Sequence, residues 1–287
     1  MRLTVILSTY NAPRRLGLVL TGYEEQKFDG FDIVVADDGS TDATGELIEE
    51  HRSRGRLSLS HVWHPDEGFR KCAILNRAIE AATGEYLVIS DGDCIPRPDF
   101  LGVHARLARQ GRFLSGGRCQ LTRELSDSLE TDDVASGRVF DPAWLARCRG
   151  LARPRDGMKL RSPSLSILLD RITPTRATWN GHNASGWRRD IVEVNGFDER
   201  LGYGGEDREL GERLSNHGVQ AFQIRHRAVC FHLDHDRGYV DPAVVKRNDE
   251  IRRAVTSGSR PHWTEHGIVK AGTEATPETA MEGPAGL

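Results

Sequence analysis

Long apolar runs are missing from this 287-residue chain, and no stretch approaches the ~18 residues needed to cross a bilayer as a helix. No transmembrane segment is expected, and the chain's start, which enters an apolar run at 3–7, lacks the architecture of a secretory leader. Cysteine is sparse and unpatterned. Cys72, Cys94, Cys119, Cys148 and Cys230 never fall in a CxxC spacing, which argues against a disulfide framework or a four-cysteine zinc site and for a reducing, cytoplasmic setting. Lysine is scarcer still, with Lys27, Lys71, Lys159, Lys246 and Lys270 the only five among 39 basic residues. Against 42 acidic residues the net charge is −3, so the broad basic field that collects nucleic acid is absent and nucleic acid is not an expected partner.

What the chain does have is the composition of a folded domain, 38% hydrophobic and 28% charged. Residues 3–7 form a continuous apolar, β-branched run that reads as a buried strand, and Pro13 opens a helix after it. A second buried strand at 31–36 stops at Asp37-Asp38-Gly39-Ser40-Thr41-Asp42, a turn that leads into a helix reaching Glu50. Strand 57–63, helix 73–82 and strand 86–90, which ends on Asp91-Gly92-Asp93, continue the alternation. Strand, loop and helix in succession predict an α/β fold with a Rossmann-like, mostly parallel sheet flanked by helices. Residues 112–176 are arginine-rich without a sustained period. Organisation returns with a helix near 207–216 and strands near 221–224 and 228–233.

In such a sheet ligands bind beyond the carboxyl ends of the strands. Here those positions bring Asp37, Asp38, Asp91 and Asp93 toward one crevice, a crowding of like charge that is costly unless a cation is bound. Hard oxygen ligands favour Mg²⁺ or Mn²⁺.

The succession Ser8-Thr-Tyr-Asn11, Ala36-Asp-Asp-Gly-Ser-Thr-Asp42 and 82–94 with Pro96 resembles family 2 glycosyltransferases of the GT-A fold. The run 195–210, Asn-Gly-Phe-Asp-Glu-Arg-Leu-Gly-Tyr-Gly-Gly-Glu-Asp-Arg-Glu-Leu, is similar to the C-terminal motif of galactosyltransferases and chondroitin-polymerase-type enzymes. The resemblance implies a nucleotide-sugar site in which Asp93 binds the metal and Asp91 and Gly92 complete an Asp-x-Asp motif. It places Ser8 and Thr9 at the base pocket, Tyr10 in the nucleotide-sugar site, Asp38 on the uracil N–H and Arg70 on the nucleotide. His235 would complete the metal site, with His232 second. Asp207 is the expected general base, Glu206 its neighbour orienting acceptor or loop, and Tyr203 and Asn183 the expected sugar contacts. Tyr203 stands where the galactosyltransferase motif has tryptophan.

The expected activity is metal-dependent, inverting transfer of a hexosyl or N-acetylhexosaminyl group from a UDP-sugar to a saccharide or lipid-linked glycan acceptor. The arginine-rich segment at 144–155 has no clear amphipathic period and reads as solvated, which leaves peripheral membrane contact open. Residues 1–111 would form the nucleotide-sugar-binding half, 112–257 the acceptor and catalytic half, and 258–287, rich in Gly, Thr, Glu, Pro and Ala, a disordered tail. The rivals are a non-catalytic nucleotide- or glycan-binding protein and a sugar-phosphate nucleotidyltransferase. The latter needs a glycine-rich basic loop after the first strand, which 8–11 is not. An NAD-dependent oxidoreductase is excluded because no G-x-G-x-x-G follows a strand.

Overall fold

The computed structural model describes residues 1–160, 162–236 and 240–270. Strands β1 (Leu3–Thr9), β2 (Phe31–Asp37), β3 (Leu59–Trp63) and β4 (Tyr86–Asp91) are joined by helices α1 (Pro13–Glu24), α2 (Asp42–Ser53) and α3 (Lys71–Ala81). They pair in parallel in the order β3-β2-β1-β4. Both faces of this sheet are covered, which is why its strands are apolar throughout rather than alternating. Val5 and Leu7 pack toward Leu16, Val19 and Leu20 of α1. Ile6, Val34 and Leu87 pack toward Ile74, Leu75 and Ile79 of α3. Truncating a fully buried side chain such as Ile6 to alanine costs about 2–5 kcal/mol.

Register decides where the polar ends fall. Ser8 of β1 sits opposite Asp91 of β4, and Thr9 opposite Asp37 of β2. The loops after β1 and β2 are laced together, since Asn11 N–H donates to Ser40 Oγ at 2.8 Å and Asn11 Oδ1 accepts from Thr41 N–H at 2.9 Å.

Past β4 the chain forms β5 (Cys94–Pro96), α4 (Phe100–Leu107), β6 (Arg112–Ser115) and β7 (Gly117–Gln120). Then come α5 (Arg123–Ser128), α6 (Thr131–Ala135), a 3₁₀ segment at Arg138–Phe140, α7 (Pro142–Arg147), a second 3₁₀ segment at Pro154–Leu160 and α8 (Pro163–Ile172). Strand β8 (Ala184–Trp187), α9 (Arg188–Glu193), α10 (Glu206–Asn216), β9 (Gln220–Gln223), β10 (Val229–His232) and α11 (Pro242–Thr256) complete the described elements. Strand β8 inserts antiparallel between β4 and β6, and β9 pairs parallel to β6, extending the first sheet to seven strands. The mostly parallel α/β sheet is as expected, but the reversed β8 has no counterpart in the sequence reading. A small second sheet, β5-β10-β7, lies beside it and places His232 opposite both Cys94 and Gln120.

The expected tail begins too early. Asn195, in the left-handed region at φ 67°, donates through Nδ2 to Thr264 O at 2.7 Å and Val269 O at 2.9 Å, and its Oδ1 accepts from Val269 N–H at 2.7 Å. Buried Thr264 donates to Asp198 at 2.7 Å. Residues 264–269 are therefore fastened to the body by side-chain hydrogen bonds that composition does not reveal; 271–287 lie outside the described residues.

Candidate active site

A cleft of about 1660 Å³ opens over the carboxyl ends of β1, β2 and β4 and is closed on its far side by α10 and the loops before β8. Ser8, Thr9, Tyr10 and Asp38 line one end. Buried Asp38 accepts from His64 Nε2–H at 2.7 Å and from Arg70 backbone N–H at 3.0 Å. Burial pushes its carboxyl above the ordinary range, against the lowering effect of both partners. Thr9 Oγ1 is buried without a partner, while Tyr10 is half exposed and donates to Asp66 at 2.7 Å.

The Asp91-Gly92-Asp93 turn follows at the centre. Asp91 Oδ1 accepts from Ser8 Oγ at 2.9 Å and from Lys71 Nζ at 2.7 Å. Burial alone would raise Asp91, but the Lys71 ammonium outweighs it and holds the carboxylate ionised. Gly92 N–H donates to Ser8 O at 2.7 Å, which ties the turn to β1. Asp93 Oδ2 lies 2.8 Å from His235 Nε2 and 3.5 Å from His232 Nε2, and the two imidazoles stack with centroids 5.7 Å apart. Against the cost of burial, the His235 hydrogen bond and the two imidazole charges hold Asp93 well below the usual carboxylate range.

This donor set suits a divalent cation. His235 Nδ1 meets the Asp236 carbonyl at 2.7 Å; Nδ1–H must donate there, so in the neutral ring Nε2 presents a lone pair to the Asp93 carboxylate. A proton or a cation between them resolves that confrontation. A backbone carbonyl on the remote imidazole nitrogen is also the usual support of a metal-ligating histidine. At the second ring the roles are reversed, since Gln120 Nε2–H donates to His232 Nδ1 at 3.1 Å and to Asp234 Oδ1 at 3.2 Å. Cys94 is close enough to join Asp93 and His232 in a ligand cluster. Burial drives its thiol well above the ordinary value and it donates to Asp93 Oδ1 at 3.2 Å, so it stays neutral. Asp93 supplies a hard oxygen that suits Mn²⁺ or Mg²⁺, and the His235 and His232 nitrogens lie beside it.

The third group lies on α10. Gly204 and Gly205 are both left-handed, at φ 107° and 98°, which lets the chain turn into the helix with Glu206 and Asp207 in its first turn. Buried Glu206 accepts from Gly204 N–H at 2.8 Å and so fixes the turn. Fully buried Arg213 pairs with Glu209 and donates to Val194 O and Gly196 O, which anchors the helix to the protein body. Asp207 Oδ1 is buried without a hydrogen-bond partner. Burial first, then Glu206 and Asp91, push its carboxyl up to about 7 against the lowering effect of Lys71. A β-carbon added to Gly181 would fall 2.7 Å from Asp207 Oδ2 and 3.0 Å from Lys71 Nζ, so the bare backbone there makes room for both groups.

Of the residues singled out in the sequence, the structure brings Ser8, Thr9, Tyr10, Asp38, Asp91, Gly92, Asp93, Tyr203, Glu206, Asp207, His232 and His235 to this cleft. Two expectations need correction. The Arg70 guanidinium turns to Glu67 at the surface, and only its backbone reaches Asp38. Asn183 is fully buried beneath the floor, where it donates to Gly117 O at 2.8 Å and Ala228 O at 3.0 Å and meets His104 Nε2 at 3.0 Å. It joins the two sheets, and His182 occupies the cleft instead. Burial lowers the His182 pKa to about 3, keeping that ring neutral. Lys71, His64 and Gln120 are the functional candidates the sequence reading missed. Lys71 carried the one available signal, a lysine directly after Arg70 in a chain that otherwise uses arginine.

Residues 4–123 match the family model described as glycosyl transferase family 2, and residues 176–236 match that described as the N-terminal domain of galactosyltransferase. Validoxylamine A glucosyltransferase of Streptomyces hygroscopicus subsp. jinggangensis is 28% identical over 235 residues, 76% of this chain and 52% of its own. Chondroitin synthase of Escherichia coli is 27% identical over 255 residues, 81% of this chain and 34% of its own. The chain thus spans about half the length of the first relative and a third of the second. Among solved structures, S. aureus TarS 1–349 in complex with UDP-GlcNAc superposes with a TM-score of 0.63 at 17% identity, covering 91% of this chain and 68% of that one. Mannosyltransferase PcManGT from Pyrobaculum calidifontis, in complex with GDP-Man and Mn²⁺, gives 0.59 at 23% identity, covering 91% and 66%. Fold and cleft together are of the GT-A type. The chain's first 123 residues thus resemble glycosyl transferase family 2 and its C-terminal half a galactosyltransferase domain.

Proposed function

We propose that the chain transfers a hexosyl or N-acetylhexosaminyl group from a UDP-sugar to a hydroxyl of a saccharide or lipid-linked glycan, with inversion at the anomeric carbon. The observation that carries this reading is Asp207, a carboxylate with an unpartnered oxygen and a pKa near 7, facing the same cleft as Asp38 and the Asp93 cluster. Residues 1–111 serve as the nucleotide half and 112–257 as the acceptor half. Five unpaired cysteine thiols support a reducing, cytoplasmic site of action.

Asp93, His232 and His235 would hold Mn²⁺ or Mg²⁺, which when bound supplies Lewis-acid charge on the donor's diphosphate. Asp38 keeps lone pairs to accept the uracil N–H. Lys71, beside both Asp91 and Asp207, favours the ionised form of each. Asp207 takes the proton of the acceptor hydroxyl as that oxygen bonds to the anomeric carbon and the carbon–oxygen bond to UDP breaks. A single displacement needs one such base.

The test is release of nucleoside diphosphate from a panel of UDP- and GDP-sugars with oligosaccharide acceptors, with Mn²⁺ or with chelator. Metal-dependent UDP release and a product of inverted anomeric configuration support the reading. Turnover of GDP-sugars only, or retention of configuration, overturns it.

A further inference from the structure

Helix α8 presents its apolar side to solvent. At about 100° per residue, Leu169, Asp170 and Ser166 share one side and are buried, whereas Leu165, Ile167, Leu168 and Ile172 spread over the opposite arc and are 37–62% exposed. Asp170 clamps the inner side to the body, accepting from Arg227 Nε at 2.6 Å and His226 N–H at 2.9 Å. The helix is therefore held firmly with four large aliphatic side chains turned outward. Isolated exposed leucines are ordinary, but a stripe on one docked helix marks a surface that something covers.

Charge identifies the occupant. Between Arg147 and Arg176 the sequence carries eight basic residues and two acidic ones. Both acids are buried and paired inward, Asp156 with Lys159 at 2.6 Å and Asp170 with Arg227. Among the described residues Arg147, Arg149, Arg153, Arg155, Arg171 and Arg176 are exposed, so this segment carries exposed positive charge around its apolar helix although the whole chain is net acidic. An apolar stripe flanked by arginine is the signature of a helix lying in a membrane interface rich in anionic lipid. Arg153 and Lys159 before α8, and Thr175 and Arg176 after it, line the cleft, so the surface that carries α8 is also the rim of the active site.

We propose that α8 seats the protein peripherally on an anionic membrane, apolar face down, with the cleft's rim turned toward a lipid-borne acceptor. The membrane contact stands on the helix alone; the acceptor's being lipid-linked rests on the function proposed above.

The test is co-sedimentation of the full chain, without nucleotide, with vesicles of phosphatidylcholine alone or mixed with phosphatidylglycerol, at low and high salt. Binding to the mixed vesicles should exceed binding to phosphatidylcholine by ~10-fold or more and weaken with salt, because each basic residue near the surface contributes roughly five-fold. Leu168→Asp/Ile172→Asp should abolish it, and Arg171→Glu should weaken it, with melting temperature unchanged because these side chains point to solvent. No binding to mixed vesicles, or equal binding by wild type and the double variant, overturns the proposal. A dimer in light scattering that the double variant converts to monomer also overturns it, since a second copy then covers the face. Because no nucleotide is present, this result is separable from success or failure of the glycosyl-transfer assay.

Discussion

Lys71 Nζ lies 2.7 Å from Asp91 Oδ1, and the same ammonium lowers the pKa of Asp207 across the cleft. One cation at the first residue of α3 thereby links the Asp-x-Asp turn to the expected base. Replacing it as Lys71→Met leaves Asp207 with the raising effects of burial, Glu206 and Asp91 and removes the opposing charge. The rising limb of the kcat/KM profile should move to higher pH, and activity at neutral pH should fall by roughly 10-fold or more, since each unit of pKa costs a factor of ten in ionised base below it. A pH series on both proteins checks this; unchanged limbs contradict the link.

Asp207→Asn keeps the shape of the side chain and removes its basicity. Donor binding should persist while turnover falls by roughly 10²–10⁴, the usual contribution of a general base. Stability should move the other way. Asp207's folded pKa of about 7 lies above that of an ordinary carboxyl, so its neutral form favours the fold at low pH and that benefit is lost as pH rises through 7. The asparagine variant, which never ionises, should melt no lower than wild type above pH 7. Melting curves across pH measure it.

Asn183→Ala should damage the fold rather than sugar recognition. It leaves the Gly117 and Ala228 carbonyls and the buried His104 ring short of partners, at about 1–3 kcal/mol for each group left unsatisfied. Chemical denaturation should show the loss, with KM for acceptor unchanged in protein that remains folded. A raised acceptor KM at full stability contradicts this placement.

Ending the chain at 257 should be destabilising. Asn195 then loses its bonds to Thr264 and Val269, and Asp198 loses Thr264. Ending it after Lys270 keeps every one of these contacts. Comparing the melting temperatures of the two truncations tests whether residues 264–269 belong to the domain.

Much of this site is legible in the sequence because carboxylates that follow buried parallel strands have only one place to go. Asp38, Asp91 and Asp93 converge by register alone, and Gly204-Gly205 before Glu206-Asp207 announces a turn into a helix. Adjacent residues are harder to separate. Arg70 and Lys71 sit side by side at a helix start, about 100° apart, and only three-dimensional placement shows that the second side chain faces the cleft while the first pairs with Glu67. His182 and Asn183 differ in the same way at the approach to β8, where one step exchanges cleft for floor. The reversed β8 and the docked 264–269 segment rest on long-range pairings with β4 and Asn195, which no local pattern encodes. Helix α8 is hidden for another reason. Its inner face buries few apolar residues and its outer face several, so its pattern does not point to the core.

The central claim is that Asp93, with His232 and His235, holds the cation that binds a nucleotide diphosphate. Isothermal titration of UDP into the wild-type chain and into Asp93→Ala, each with Mn²⁺ and with chelator, tests it most directly. The expected result is Mn²⁺-dependent UDP binding by the wild type and its loss in the folded variant. UDP binding of equal strength in all four titrations would contradict it.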